Sequence, residues 1–227
     1  MSYWTVFDNQ MRVKKEVYRL NATHRMIEEF VRERLAKSDL GAHTLDHTRR
    51  VYTLSIEIGR EIGADLKILG AAALLHDIGR PEEATTSISH AILSGNMSRD
   101  ILKKVGLDDA EIDKVVDAIR THRFSEGIEP NSLEGEILSD ADKLDAMGAI
   151  GVFRAIAQAA STGVGIEGFL KHADEKLLKL RDLMYTDQAR IEAENRHQTL
   201  EVFVKQLRDE SSRKISDLDR VQDKTHG

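Results

Sequence analysis

Cysteine is absent from the 227-residue chain, which excludes disulfides and thiolate metal sites. Any metal must be held by nitrogen and oxygen. Proline occurs twice, as Pro81 and Pro130, and aromatic residues make up 5%. So few breakers, with abundant Ala, Leu, Ile, Glu and Lys, favour helices. Long apolar runs are also missing: the longest, Ile68 to Leu75, falls far short of a membrane span. Positive charge is not in excess. The net charge of −6 argues against broad adhesion to duplex nucleic acid or acidic lipid, and leaves room for a local basic pocket. No basic segment followed by an apolar one opens the chain, so no signal peptide is expected, and the cytoplasm is the expected compartment. With 41% hydrophobic and 32% charged residues, the composition is that of a globular protein long enough for a real core.

The periodicity predicts about nine helices and no strand. The first runs from Phe7 to Lys37, with a break near Asn21, and 38–41 form a loop. The second starts near Leu45 and ends before Gly63, with a stripe of His47, Val51, Leu54, Ile58 and Ile62. The third runs from Asp65 to Ile78 and stops at Gly79, with Pro81 just beyond as a terminator. Ile88 to Val105 follows, ending at Gly106. Asp108 then caps a helix whose box partner is Glu111 and whose stripe is Ile112, Val115, Val116 and Ile119, leading to His122. A loop covers 124–132, and Leu133 to Met147 and Ala149 to Ala160 are helical. After another loop, helices run from Glu167 to Met184 and from Asp187 to Arg213, with a polar tail after Lys214 expected to fray.

The informative feature is where the polar residues fall. His47, the pair His76-Asp77, His122, and the run Asp140-Ala-Asp142-Lys-Leu-Asp145 sit at the ends of apolar stripes on four separate helices. A lone histidine there is ordinarily a satisfied core residue, but a carboxylate there is costly unless paired or metal-bound. Neutral imidazoles and carboxylates together suit a divalent cation. Periodicity alone would choose Asp140 as the last carboxylate: the stripe Leu133, Ile137, Leu144 and Met147 contains Asp140, whereas Asp142 shares a face with Leu138 and Asp145.

These residues resemble the HD superfamily of metal-dependent phosphohydrolases, whose ordered pattern is H…HD…D on separate helices. The pattern reads here as His47 in Asp46-His47-Thr-Arg-Arg50, His76-Asp77 in Leu74-Leu75-His76-Asp77-Ile78-Gly79, and Asp142 in Ser139-Asp140-Ala141-Asp142-Lys143-Leu144. The chain is similar to a small bacterial and archaeal subgroup through His43, the segment Asp142 to Gly151 followed by Arg154, and Tyr185-Thr186 through Ala193 and Arg196. Thr44-Leu45 stands where that subgroup often carries Asp-Trp. The resemblance covers about His24 to Glu210 and implies an all-α, multi-helix fold with a metal site between core helices. One helical domain over 1–227 is expected, its core at about 40–160, with terminal helices packed on it.

The resemblance further implies that His47, His76, Asp77 and Asp142 hold a divalent ion (Mn, Mg, Fe, Ni, Co or Zn), with Asp140 the alternative fourth ligand. His90 and His122 match histidines that bind a second metal or substrate phosphate in related groups, and His43 extends the cluster. Arg50, Arg80, Arg123 and Lys143 are together candidate phosphate contacts, though each is individually better explained as a solvated side chain or ion-pair partner. Asp77, Asp140, Asp145 and Lys143 are the catalytic candidates, with Asp140 or Asp145 as proton acceptor. The implied activity is hydrolysis of a phosphomonoester or phosphodiester of a nucleotide or related small molecule by metal-activated water. A non-catalytic nucleotide-binding regulator and a di-iron oxygenase are the alternatives, and a homodimer is compatible with the sequence. His24, His172, His197 and His226 are expected to be surface or core residues, and Arg196, which interrupts the last stripe, either an ion-pair partner or a substrate contact.

Overall fold

The computed structural model describes residues 22–35, 45–123 and 126–222, with Ala84 and 213–222 through the backbone alone. Its helices are α1 (Ala22–Leu35), α2 (Leu45–Ile62), α3 (Leu66–Leu75), α4 (Arg80–Thr86), α5 (His90–Lys104), α6 (Asp109–Thr121), α7 (Leu133–Asp145), α8 (Gly148–Ser161), α9 (Gly165–Glu175) and α10 (Asp187–Gln222), with a 3-10 segment at Leu177–Leu183. The fold is all-α, with no strand among the described residues. Of the helix expected over Phe7 to Lys37, only α1 is described, and His43 lies outside the described residues.

The chain divides into two compact units, Met1–Asp145 and Ala146–Gly227, the boundary falling inside the core span expected from sequence. In the first unit α3 lies at the centre. Ile68 to Leu75 are all buried, as a helix apolar all round demands. Neighbours α1, α2, α6 and α7 pack against it. Small residues on α3 admit close approach. A Cβ on Gly70 would stand 2.2 Å from His24 Cε1, so the imidazole of α1 rests on the glycine itself. His24 is a core residue, with Nδ1 3.0 Å from the Tyr52 hydroxyl and Nε2 3.1 Å from the Lys67 carbonyl oxygen.

Capping follows the sequence in one place and departs from it in another. Asp65 caps α3, accepting from the amides of Lys67 and Ile68, and Asp108 with Glu111 forms the expected capping box of α6. At the other end of α3 the helix stops at Leu75, and 76–79 form a turn instead of a last helical turn. Gly79 then serves as the N-cap of α4, with φ −88°, and Pro81 opens that helix rather than ending α3. Proline lacks only an amide hydrogen that a first turn leaves unbonded anyway, so it starts a helix as readily as it stops one. The turn sits hard against α5: a Cβ on Gly79 would lie 2.7 Å from the Ser94 amide nitrogen and 2.9 Å from the His90 carbonyl oxygen.

In the second unit α8, α9, the 3-10 segment and α10 enclose a separate core that includes Phe169, Leu177, Leu180 and Leu200. The helix expected from Glu167 to Met184 divides at Lys176, because Leu177 and Leu180 bury a period of three that suits 3-10 winding. The polar tail expected to fray after Lys214 continues as helix to Gln222. Arg196 donates to Glu192 one turn earlier, at 2.8 Å.

Candidate metal centre

Two helices of the first unit end on histidines in the same way. His76 follows α3 at its C-cap, and His122 follows α6 at its C-cap, both with helical backbone angles. The last carbonyls of a helix lack amide partners. His76 Nδ1 lies 2.8 Å from the Ala73 carbonyl oxygen and His122 Nδ1 2.6 Å from that of Ile119, so each ring donates back to the residue three positions earlier. Only an Nδ1–H tautomer satisfies that acceptor, which leaves Nε2 with a lone pair pointing off the helix end.

Two further rings carry the same tautomer by different means. His47 Nδ1 is 2.7 Å from Asp145 Oδ2. His90 Nδ1 is 3.0 Å from Glu83 Oε1, an oxygen that also accepts from the His90 amide and from Arg123 Nη1 at 2.8 Å. The four imidazoles follow one another edge to face, His47–His76–His122–His90, with ring centroids 5.3, 5.1 and 5.4 Å apart.

Asp77 and Asp142 close the cluster. Asp77 Oδ2 lies 3.5 Å from His47 Nε2 and 3.6 Å from His76 Nε2, while its Oδ1 lies 3.3 Å from His90 Nε2 and accepts from Arg80 Nε at 2.9 Å. Asp142 Oδ1 stands 3.4 Å from His47 Nε2, and His47 and His76 approach each other at 3.3 Å through their Nε2 atoms. Ligand-capable atoms of His47, His76 and Asp142, and again of His76, Asp77 and His122, fall within 4.8 Å of one another. The histidines are wholly buried, whereas the Asp142 side chain keeps 25% of its surface and opens the cluster to solvent.

Electrostatics agree with the tautomers. Burial lowers His76 to about 3 and His90 to about 4, in both cases against the pull of Asp77, so both rings are neutral near pH 7. Burial would raise the Asp142 carboxyl, but His47, His76 and His122 outweigh it and hold the group below the usual carboxylate range. Burial likewise works against ionised Glu83, and the hydrogen bonds from His90 overcome it, bringing the carboxyl to about 2.

A divalent ion fits this donor set. Nε2 of His90 and Nε2 of His122 are buried without a hydrogen-bond partner, a costly condition that coordination would relieve. The donors are neutral imidazoles and carboxylates, the types such ions take.

The remaining candidates lie around this cluster in pairs. Of the two candidate fourth ligands, Asp142 faces His47 Nε2, whereas Asp140 accepts from Lys143 Nζ at 3.1 Å within a pair almost wholly out of solvent. Arg50 grips Asp145, Arg80 grips Asp77, and Arg123 grips Glu83 and Glu126. Residues that sequence alone did not single out also shape the site. Arg34 Nε donates to the Ile78 carbonyl at 2.8 Å and its Nη2 to Glu82, while the Gly79 amide donates to Ser94 Oγ at 2.9 Å. These bonds pin the turn that bears His76 and Asp77. Glu83 was invisible because α4 was not foreseen.

The HD domain family matches residues 44–147, the span that carries every residue of the cluster. An uncharacterised Bacillus subtilis protein, YpgQ, is 37% identical over 176 residues, covering 73% of this chain and 82% of its own length.

The chain belongs to the HD superfamily.

Among solved structures of this superfamily, YpgQ in complex with ADP superposes with a TM-score of 0.69 at 32% identity, covering 83% of this chain and 94% of that one. A predicted HD superfamily hydrolase from an uncultured Thermotogales bacterium gives a TM-score of 0.63 at 35% identity, over 82% and 91%. A shorter likeness links the HD region to ribonuclease Y of Rubrobacter xylanophilus, 33% identical over 110 residues, which are 48% of this chain and 20% of that enzyme. The superfamily is one of hydrolases, and the cluster occupies its HD region. No described helix of this HD protein is long and apolar enough to cross a membrane.

Proposed function

We propose that this HD protein is a metal-dependent phosphohydrolase acting on a small phosphate ester, a nucleotide by preference. The observation that carries it is the convergence of four histidine Nε2 atoms, each freed by an Nδ1 partner, on the carboxylates of Asp77 and Asp142. His47, His76, Asp77 and Asp142 would hold one divalent ion, and His90 and His122, with Asp77 shared between them, a second. Such an ion supplies Lewis acidity and lowers the pKa of a bound water toward neutrality.

The chain's own groups prepare the site for that chemistry. Burial keeps His76 and His90 unprotonated, so their lone pairs are available near neutral pH. Arg80 fixes the orientation of Asp77 through Oδ1. Asp142, the most exposed member, stands where substrate enters. His47, His76, His90, His122 and Asp77 are buried, which strengthens every electrostatic contact among them. The nucleotide preference draws on YpgQ, which has been solved with ADP.

The test is metal content together with hydrolysis of nucleotides and of generic phosphomonoesters and phosphodiesters, across Mn, Mg, Fe, Ni, Co and Zn. Asp77→Ala should lose bound metal and turnover together. Activity retained by metal-free Asp77→Ala protein would refute the mechanism. Nucleotide binding without turnover under any metal would favour a regulatory domain instead, and two tightly held irons an oxygenase.

A further inference from the structure

One helix meets both ring nitrogens of His47, holding Nδ1 and facing Nε2. Nε2 lies 3.4 Å from Asp142 Oδ1 and Nδ1 lies 2.7 Å from Asp145 Oδ2, carboxylates three residues apart on α7. Arg50, three residues beyond His47 on α2, reaches the same Asp145 with one edge of its fork, Nε at 2.6 Å from Oδ1 and Nη2 at 3.0 Å from Oδ2. One turn of α2 thus interlocks with one turn of α7. The Asp145 side chain is 1% exposed, and both its oxygens accept N–H donors.

We propose that Arg50, Asp145 and His47 form a positioning relay that presents His47 Nε2 to the cation, so that Arg50 and Asp145 act through His47 rather than on substrate. The inference rests on the metal-dependent function above. A neutral imidazole has two tautomers, and only the one protonated on Nδ1 can coordinate through Nε2. Asp145 selects that tautomer by accepting the Nδ1 proton. A carboxylate alone could rotate away from the ring. The bidentate guanidinium removes that freedom, because a planar fork matches a carboxylate in few orientations. The same geometry favours one use of Arg50 over another. Its Nε–Nη2 edge is committed to Asp145, so a phosphate could be met only through the remaining Nη1 side of the fork. Asp145, enclosed between two donors, is likewise badly placed to take a proton from water.

The experiment titrates Mn²⁺ into chelator-stripped protein and reads free Mn²⁺ by electron paramagnetic resonance. Arg50→Met and Asp145→Asn should each weaken Mn²⁺ binding by about 10–100-fold, the usual cost of removing a partner that orients a ligand. The double variant should bind no more weakly than Asp145→Asn alone, because the two residues act in series. With Mn²⁺ saturating, ADP affinity of Arg50→Met should match that of the parent. Unchanged Mn²⁺ affinity in Arg50→Met together with weakened ADP binding would overturn the relay and make Arg50 a phosphate ligand. Arg50→Gln, which keeps part of the donor set, replaces Arg50→Met if circular dichroism shows the latter unfolded. Nitrogen NMR of histidine-labelled protein reads the His47 tautomer without any metal. A proton on Nδ1 in the parent, lost or exchanging in the Arg50 variant, supports the relay, whereas a proton on Nε2 in the parent overturns it. Should the parent bind no divalent ion at all, the metal-dependent function fails and the tautomer measurement still decides the relay.

Discussion

Lys143 is the largest side chain fully buried among the described residues, and it lies against Asp140, whose side chain is 0% exposed. Replacing it by Met keeps most of the volume and removes the charge. Burial pulls the ammonium below its ordinary pKa, and Asp140, with a smaller pull from Asp142, partly restores it. Removing one member of a buried pair strands the other, at a cost of about 3–5 kcal/mol. That is a large share of the roughly 5–15 kcal/mol that holds a domain folded. Removing both should be far milder, since an apolar replacement of a buried pair is often neutral or stabilising by about 1–4 kcal/mol. Urea unfolding followed by far-UV circular dichroism, on Lys143→Met, Asp140→Leu and the double variant, measures the coupling. The double variant should be more stable than either single one. A Lys143→Met loss below about 1 kcal/mol, the range of an exposed pair, would refute the buried-pair account. Simple additivity of the two singles would refute it as well.

Gly70→Ala should destabilise the protein by about 1–3 kcal/mol through overpacking against the His24 ring, outweighing the roughly 0.8–1.0 kcal/mol that alanine offers a helix. In a His24→Ala background the same substitution should become stabilising, and thermal unfolding of the four proteins checks the reversal. His24 also carries a pH dependence. Burial lowers its pKa more than the Lys67 carbonyl raises it, so below pH 6.5 the unfolded chain binds the proton more readily than the fold does. Its contribution is therefore complete above that pH and is lost as pH falls through the lower native value. His24→Gln should flatten the acid limb of the stability curve by up to about 1.4 kcal/mol per pH unit. An unchanged slope between the two proteins would show that the fold takes up the His24 proton as readily as the unfolded chain does.

Much of the fold was legible in local patterns. The all-apolar run of α3 and the Asp108–Glu111 capping box needed only residues within a turn or two of each other, and of the α2 stripe His47, Val51 and Ile58 are buried while Leu54 and Ile62 are only half-buried. Local patterns failed where one residue type serves two roles. Pro81 and Gly79 were expected to end a helix and instead begin α4, because the choice depends on the turn being drawn against α5 by Ser94 and toward α1 by Arg34. That missed helix hid Glu83, and with it the partner that sets the tautomer of His90.

The sequence by itself determined an all-helical HD protein and named the residues of its cluster, since ligand types, their order and apolar periodicity are properties of the chain. Its apolar stripe pointed to Asp140 and its resemblance to Asp142, because a helix buried nearly all round has no single inward stripe to consult. Only the tertiary structure decided that Asp142 faces His47 while Asp140 turns to Lys143, and that Arg50 and Asp145 are bound to each other. The pairing of Arg50 with Asp145 joins residues 95 positions apart, and that of His47 with Asp145 residues 98 apart. At such separations it is the packing of one helix against another, rather than any spacing along the chain, that fixes which atoms meet.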